Sequence, residues 1–290
     1  MKLQLLIIFG ILLAFQISNS QQLPLYYGND FLIKYQDKKI QNEELKAALF
    51  TILSGGHVKN ANSGDSIYPN CSSADQPNNC TEHHALGYDG ARRKLFGALY
   101  LETLPGGEYA VTDVYCEQTF SDRDFGGAVT FEPNLVPSSG NIINTEHTWP
   151  QSRFTGRFQR DTQKSDLHHL FPTDSLMNSR RSSLHFGKVV QVTEPLRCPI
   201  AKLGHQEGGE IVFEPPVKHK GNVARALFYF ATRYQMKVSA AEELALREWD
   251  KEDPVDAAEF ERNNQIEKMQ GNRNPYIDFA DLIDQIASFK

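Results

Sequence analysis

Two neighbouring segments gather the side chains best suited to chemistry. Residues 144–152 read NTEHTWPQS and residues 165–183 read SDLHHLFPTDSLMNSRRSS. Together they hold a glutamate, three histidines, a carboxamide inside a predicted helix and two adjacent arginines. A histidine accepts a proton near neutral pH, and carboxylate or carboxamide oxygens suit hard cations such as Mg²⁺ and Ca²⁺. This combination indicates a general base next to a divalent cation.

The local pattern predicts how these side chains meet. Pro150 interrupts a strand soon after Glu146 and His147, so both residues should lie where a strand enters a loop. Asp174 is a helix-start signal for a short helix over residues 175–183, and that helix contains Asn178. Asparagine is unfavourable inside a helix. Asn178 therefore either is simply exposed or offers its carbonyl oxygen to a metal in a ββα arrangement.

The N-terminal residues have the features of an export signal. Residues 1–20 begin with one basic residue, continue as a short apolar run and end in small polar residues. This pattern predicts a secretory signal peptide, and the apolar run is short for a membrane span of about 20 residues. The mature protein is expected to be residues 21–290, one domain without a membrane segment.

Four cysteines lie in the predicted exported part, namely Cys71, Cys80, Cys116 and Cys198. An even number in an oxidising compartment predicts two disulfides. Four cysteines can pair into two disulfides in three ways, and all three are possible. We favour Cys71–Cys80, which closes a short polar loop, and Cys116–Cys198, which ties distant segments.

The charge distribution favours brief contact with phosphate over tight binding. The formal net charge is −6, whereas proteins that hold nucleic acid tightly are normally basic. Residues 147–188, however, contain seven basic and three acidic side chains. Such a basic island can contact phosphate transiently, and a solvated charged face is the alternative. Arg180 and Arg181 lie two and three residues after Asn178 and could contact phosphate.

Periodicity predicts the other elements of one α+β domain with a helix-rich C-terminal part. Helices are expected at residues 42–53 and 88–96, and a strand at 108–116. Residues 223–234 are apolar on nearly all sides and predict a central buried helix. Residues 57–82 are polar and glycine-rich and predict a surface loop. Further expectations are a helix capped at Asp253-Pro254 that runs to residue 268 and stops at Gly271, and a final helix over residues 277–289.

Several motifs of the chain resemble those of a known family and occur in the same order. Residues 145–152, 166–174 and 178–182 resemble signature blocks of the secreted bacterial endonuclease I family, which are ββα-metal (His-Me finger) nucleases. Residues 113–116, 221–234, 253–256 and 270–278 resemble further blocks in the same order. The resemblance covers about residues 40 to 290. It implies a ββα-metal core within the α+β domain.

The resemblance implies a role for each matching residue. His147 would be the general base, and Glu146 and Asn178 would bind one Mg²⁺, with Mn²⁺ or Ca²⁺ able to take the same site. Asp166 and His168 would support the site. The family uses an arginine near the scissile phosphate, for which Arg153 and Arg180 are candidates, with Arg157 and Arg181 as phosphate-binding side chains.

The implied activity is hydrolysis of DNA, with RNA as a second substrate, little sequence preference, and 5′-phosphate and 3′-hydroxyl ends. A secreted monomer in the periplasm or outside the cell is expected. Two alternatives stay open. One is a secreted zinc hydrolase that uses His147, His168 and His169, although the chain lacks the HExxH helix of common metalloproteases. The other is a binding protein on a nuclease fold.

Overall fold

The computed structural model describes residues 24–72, 77–125, 131–136 and 141–290, so the predicted signal peptide lies outside the described residues. Helices and short strands alternate along the chain. The helices are α1 (Asn29–Gln36), α2 (Asn42–Ser54), α3 (Tyr88–Lys94), α4 (Arg160–Ser165), α5 (Ser175–Arg181), α6 (Lys220–Arg233), α7 (Ala240–Glu252), α8 (Ala257–Gln270) and α9 (Pro275–Asp278). The strands are β1 (Gly56–Val58), β2 (Ser66–Tyr68), β3 (Thr81–Glu82), β4 (Glu102–Thr103), β5 (Tyr109–Thr112), β6 (Thr119–Ser121), β7 (Ile143–His147), β8 (Leu170–Asp174), β9 (His185–Phe186), β10 (Gln191–Val192), β11 (Lys202–His205) and β12 (Ile211–Glu214). No helix of the described part is long and apolar enough to cross a bilayer.

The strands form several small sheets. Their orders are β2-β1-β3, β4-β5-β6, β10-β11-β12-β9 and the pair β7-β8. Neighbours are antiparallel except for β12 and β9, which run parallel. Helices together with small, mostly antiparallel sheets confirm the predicted α+β class.

Helix α6 is the centre of the core, as its apolar sequence predicts. Its residues are buried almost without exception, and it packs against α2 and α7. Trp149, just beyond β7, stacks on Phe230 of this helix with ring centroids 5.4 Å apart. The central helix therefore supports the segment that carries Glu146 and His147.

We predicted a surface loop over residues 57–82, but this segment also contains strands. They contribute β1, β2 and β3, and His57 on β1 is 1 % exposed. The strands have two or three residues each, too few for alternation to be visible in the sequence. The Cys71–Cys80 disulfide joins the segment between β2 and β3. The second disulfide is Cys116–Cys198, so both favoured pairings are confirmed.

The predicted helix over residues 277–289 is wrong. The structure has only the short α9 and a single 3₁₀ turn at Ile283–Gln285. Apolar side chains such as Phe289 are buried, which explains the helix-like spacing. The guanidinium of Arg247 donates to the carbonyl oxygens of Ile283 and Ile286. These carbonyls are thus satisfied without a helix.

Helix α8 ends where predicted but begins later. Gly271 follows it with φ of 87°, a left-handed conformation that favours glycine. The N-cap is Asp256, whose carboxylate accepts the backbone N–H of Glu259 at 2.7 Å. Asp253, the predicted cap, instead accepts the backbone N–H of Gly221 at the start of α6. Asp253 therefore links the end of α7 to the start of α6 and does not begin a helix.

Candidate active site

The segment that carries the motif folds as two strands and a helix. Strands β7 and β8 pair antiparallel, with Glu146 opposite Phe171 and His147 opposite Leu170. Helix α5 follows β8 directly, because the carboxylate of Asp174 accepts the N–H groups of Leu176 and Met177 at 3.0 Å. The predicted order of strand, loop, strand and helix is therefore present.

This arrangement brings the main candidate residues together. Glu146, His147 and Asn178 line one pocket of about 380 Å³, here called the motif pocket, together with Gln151 and Arg181. Glu146 and His147 come from the end of β7, and Asn178 comes from the middle of α5. The pocket has room for several waters next to these side chains.

The hydrogen bonds of His147 determine which ring nitrogen accepts a proton. Nε2 lies 3.1 Å from the carbonyl oxygen of Lys164, and a carbonyl can only accept, so Nε2 carries the hydrogen. Nδ1 is then the acceptor, and the amide of Gln151 approaches it at 3.4 Å. Burial, reinforced by the neighbouring His169, lowers the pKa of His147 to about 3. The ring is therefore neutral at neutral pH.

Glu146 is held through one of its two oxygens. Its Oε1 accepts the hydroxyl of Tyr115 at 2.8 Å and pairs with the guanidinium of Arg181 at 2.9 Å. Glu146 and Arg181 are each 1 % exposed. Burial raises the pKa of Glu146, while Arg181 and Tyr115 oppose that rise. Both contacts use Oε1, so Oε2 is the oxygen available to a cation.

Hydrogen bonds also fix the orientation of the Asn178 carboxamide. Its Nδ2 donates to Oδ1 of Asn144 at 2.7 Å and to the carbonyl oxygen of Thr145 at 3.2 Å. These bonds occupy the nitrogen and leave Oδ1 as the free end of the amide. A cation in the motif pocket would thus find two oxygen ligands, one from Glu146 and one from Asn178, which fits a hydrated Mg²⁺.

The three histidines do not form a zinc site. Nε2 of His168 donates to the carbonyl oxygen of Asn272 at 3.2 Å, and Nε2 of His169 donates to that of Gln163 at 2.8 Å. Across the ranges that the structure describes, no group of three or more His, Cys, Asp and Glu side chains could hold a metal ion. The geometry therefore does not support the zinc hydrolase alternative.

Asp166 is the centre of a buried network, where we expected a supporting role. Its carboxylate accepts the hydroxyls of Tyr229 at 2.7 Å and Tyr234 at 2.8 Å, both near the C-terminal end of α6. It also accepts the amide of Gln270 on α8 at 2.8 Å and the backbone N–H of His168 at 3.1 Å. These bonds attach the segment before β8 to two helices.

The charge of Asp166 is stabilised by its neighbours. Burial alone raises the pKa of a carboxyl group. His83, His168 and His169, together with the hydrogen bond from Gln270, outweigh this effect and hold the pKa of Asp166 well below its usual range. The network therefore contains an ionised carboxylate at neutral pH.

The two predicted arginines of α5 both have partners within the protein. Arg181, expected to bind phosphate, is buried and donates to the carbonyl oxygens of His147 and Thr148 in addition to its pair with Glu146. It faces inward because it lies on the side of α5 that packs against β7. Arg180, expected to be catalytic, points to the surface and pairs with Glu194 at 2.9 Å.

The three arginines between β7 and the first turn of α4 also have different surroundings. Arg153, the other catalytic candidate, donates to the carbonyl oxygen of Ser183 and lies 3.1 Å from Nδ1 of His185. Arg157, a phosphate-binding candidate, lines a different groove. Arg160, the first residue of α4, contacts the backbone oxygen of Gln151 at 3.4 Å. Gln151 itself approaches His147, so Arg160 lies at the edge of the motif pocket.

Buried neutral histidines predict a loss of stability in acid. Burial, with a smaller effect from Arg262 and Arg225, lowers the pKa of His219 to about 3, and its ring packs on Phe171 of β8. A pKa below the unfolded value of about 6.5 means that stability is complete above pH 6.5 and is lost as pH falls toward 3. His219→Leu should reduce this loss by up to about 1.4 kcal/mol per pH unit. Urea denaturation at pH 7.0 and pH 4.5 measures the difference, and equal acid losses in both proteins would contradict it.

The sequence matches a protein-family model. The model described as Endonuclease I matches residues 77–281, which include β7, β8, α5 and the whole motif pocket. The chain belongs to the Endonuclease I family. The match also includes Asp113 and Tyr115, and it begins after Cys71, so β1 and β2 precede it.

Relatives of this Endonuclease I family member have different substrates in their names. An extracellular ribonuclease of Bacillus subtilis (strain 168) is 37% identical over 172 residues, covering 51% of this chain and 56% of that protein. An extracellular deoxyribonuclease of Aeromonas hydrophila is 32% identical over 120 residues, covering 40% and 49%. Endonuclease-1 of Buchnera aphidicola subsp. Acyrthosiphon pisum (strain APS) is 34% identical over 115 residues, covering 39% and 44%. The chain spans about half the length of these curated relatives.

The structure also gives a role to Tyr115, to which the sequence pattern assigned none. Tyr115 follows β5 at a position that we had assigned to a strand. Asp113 ends that strand, because its carboxylate accepts the N–H groups of Tyr115, Cys116 and Gln118. It also accepts the N–H of Asp174 at 3.3 Å. Asp113 thus connects the turn that carries Tyr115 to the junction of β8 and α5.

Proposed function

We propose that this protein is a secreted endonuclease that depends on a divalent metal and hydrolyses DNA and RNA with little sequence preference. The observation that carries the proposal is the motif pocket, which His147, Glu146 and Asn178 line together. A base and two hard oxygen ligands are what metal-assisted attack of water on a phosphodiester requires.

His147 acts as the general base. Nδ1 takes a proton from a water molecule, while the bond from Nε2 to the carbonyl oxygen of Lys164 keeps the ring in the required tautomer. The low pKa of the ring keeps it neutral before the reaction. Gln151 contacts the same Nδ1, so its amide must give way to the water or hold it in place.

Glu146 and Asn178 would bind the cation. Two protein ligands and several waters suit one Mg²⁺ better than zinc, and Mn²⁺ or Ca²⁺ could take the same position. When bound, the ion stabilises negative charge on the phosphate and on the departing 3′ oxygen. Tyr115 and Arg181 fix Glu146 from the opposite side. On this basis β7, β8 and α5 form a ββα-metal core, and the products carry 5′-phosphate and 3′-hydroxyl ends.

The named relatives support a broad substrate range and export. Their names include ribonucleases, deoxyribonucleases and an endonuclease, and several are extracellular or periplasmic. Two disulfides also fit an oxidising compartment. Contacts to phosphate carry no sequence information, which agrees with a pocket near basic side chains. We propose that residues 21–290 act as a monomeric nuclease domain after a signal peptide at residues 1–20 is removed.

Removal of the metal should abolish activity. We expect the purified protein to cut supercoiled plasmid and a long RNA transcript in Mg²⁺, and to lose both activities in EDTA. Excess Mg²⁺ should restore them, because Glu146 and Asn178 offer hard oxygen ligands. Gel electrophoresis of both substrates measures the result. Cleavage that persists in EDTA contradicts the metal requirement, and the absence of cleavage in any divalent metal favours the binding-protein alternative.

A further inference from the structure

A second groove contains an excess of positive charge. This groove, here called the basic groove, lies between α2, the loop before α4 and the end of α6, and its volume is about 310 Å³. Its charged lining consists of four basic side chains (Lys46, Arg157, Lys237 and Lys290) and the single acidic Glu43. The whole chain, in contrast, has a formal net charge of −6.

Three of the four basic side chains, Arg157, Lys237 and Lys290, are exposed and have no ion-pair partner within the described part of the chain. Lys46, in contrast, pairs with Glu43. Two exposed lysines on other surfaces do have partners; Lys39 pairs with Asp37, and Lys218 pairs with Glu117. Unpaired charges in a concave surface attract a polyanion.

Side-chain contacts and the loop over residues 154–158 link the motif pocket with the basic groove. Gln151 touches both His147 and Arg160. The guanidinium of Arg160 lies over the ring of Phe154 at 5.5 Å. Four residues later Phe158 packs against Phe50 in the lining of the groove, with ring centroids 6.3 Å apart.

The loop between the two sites is fixed in place. The side-chain amide of Gln163 donates to the carbonyl oxygens of Thr155 and Phe158 at 3.1 and 3.0 Å. The guanidinium of Arg157 lies 5.8 Å from the centroid of the Phe158 ring. The path thus alternates half-buried aromatic rings with exposed arginines, the combination that binds single strands through base stacking and phosphate contacts.

From this continuity we infer that the basic groove binds the backbone of a single nucleic acid strand whose scissile phosphate lies in the motif pocket. Arg160 and the rings of Phe154 and Phe158 guide the strand between the two sites, and Arg157 and Lys237 contact phosphates at its distal part. The inference rests on the proposed function, because it assigns the groove to the same substrate.

The salt dependence of binding tests this assignment. Fluorescein-labelled oligothymidylates of 4 and 16 nucleotides are titrated with the full chain in EDTA, and anisotropy gives Kd at several salt concentrations. Each phosphate contact to a single strand contributes about 0.7 to the slope of log K against log salt. Arg157→Gln with Lys237→Gln should therefore lower the slope for the 16-mer by about 1.4. The gain in affinity from the 4-mer to the 16-mer should shrink at the same time.

A charge-matched control separates local contacts from net charge. Lys39→Gln with Lys218→Gln removes two paired lysines outside the groove and should leave the slope unchanged. An unchanged slope in the groove variant, or an equal fall in the control, overturns the inference.

The two hypotheses fail in different ways. A wild type that neither binds the 16-mer nor cuts DNA or RNA overturns the proposed function. A wild type that cuts, together with an unchanged slope in the groove variant, overturns only the assignment of the groove. If the double variant does not fold by circular dichroism, Lys237→Gln alone should lower the slope by about 0.7.

Discussion

His147→Ala is expected to lower the rate of plasmid cleavage in Mg²⁺ by a factor of about 10² to 10⁴, the usual contribution of a general base. The variant lacks Nδ1, the only proton acceptor that the histidine presents to the motif pocket, while Glu146 and Asn178 remain. Binding of the oligothymidylate in EDTA should change little. Initial rates from the conversion of supercoiled to nicked plasmid measure the loss.

A second histidine variant provides the control. His205 lies on the β10-β11-β12 sheet, where its Nδ1 donates to the carbonyl oxygen of Gly209. His205→Ala should keep the wild-type rate. Circular dichroism and a thermal melt must show that His147→Ala is folded at the assay temperature. A folded variant with an undiminished rate would remove His147 from the role of base.

Arg181→Met is expected to lower the free energy of unfolding by about 3–5 kcal/mol, the range for removing one partner of a buried ion pair. The change leaves Glu146 buried without its counter-charge. It also removes the hydrogen bonds to the carbonyl oxygens of His147 and Thr148 at the end of β7. Methionine fills much of the vacated volume, so the loss reports charge and hydrogen bonding more than packing. Urea denaturation at pH 7 measures it.

The adjacent Arg180 gives a matched comparison. Its guanidinium pairs with Glu194 at the surface, where half of the side chain is exposed. A surface pair of this kind contributes about 0–1 kcal/mol. Arg180→Met should therefore change the free energy of unfolding by about 1 kcal/mol or less. Equal losses in the two variants would show that burial of Arg181 is not what makes it important.

The sequence predicts much of the scaffold of this site because the signals are local. Pro150 indicates the end of β7, Asp174 indicates the start of α5, and the apolar residues 223–234 indicate α6. Each signal reflects a backbone preference or a one-sided apolar pattern that acts within a few residues. The same reasoning predicts that Glu146, His147 and Asn178 lie near one another, and the motif pocket contains all three.

The orientation of the arginines could not be predicted in the same way. Arg180 and Arg181 are neighbours in the sequence, yet one pairs at the surface and the other is buried against β7. The difference follows from the rotation of about 100° per residue around a helix and from where α5 packs. Tyr115 was missed for a related reason, since its hydroxyl meets a residue 31 positions away. Long-range partners of this kind leave no periodic pattern.

Two helical assignments show a further limit. Helix α7 was missed although Ser239 caps it and acidic residues fill its first turn, because charged residues dominate its sequence. The helix expected over residues 277–289 has a clear apolar pattern, but Arg247 and Glu243 satisfy its backbone groups from another helix. Periodicity reports which side chains are buried, not which groups satisfy the backbone.

The network around Asp166 has a consequence for the order in which the protein becomes active during its synthesis. The amide of Gln270 reaches Asp166, and the carbonyl oxygen of Asn272 accepts from His168, across 104 positions of the sequence. A growing chain that already contains Glu146, His147 and Asn178 therefore lacks the contacts that hold the β8 segment against α6 and α8. Such distant contacts form late, because a long loop must close first. A nascent or truncated chain would thus carry every residue of the motif pocket without the framework that holds them.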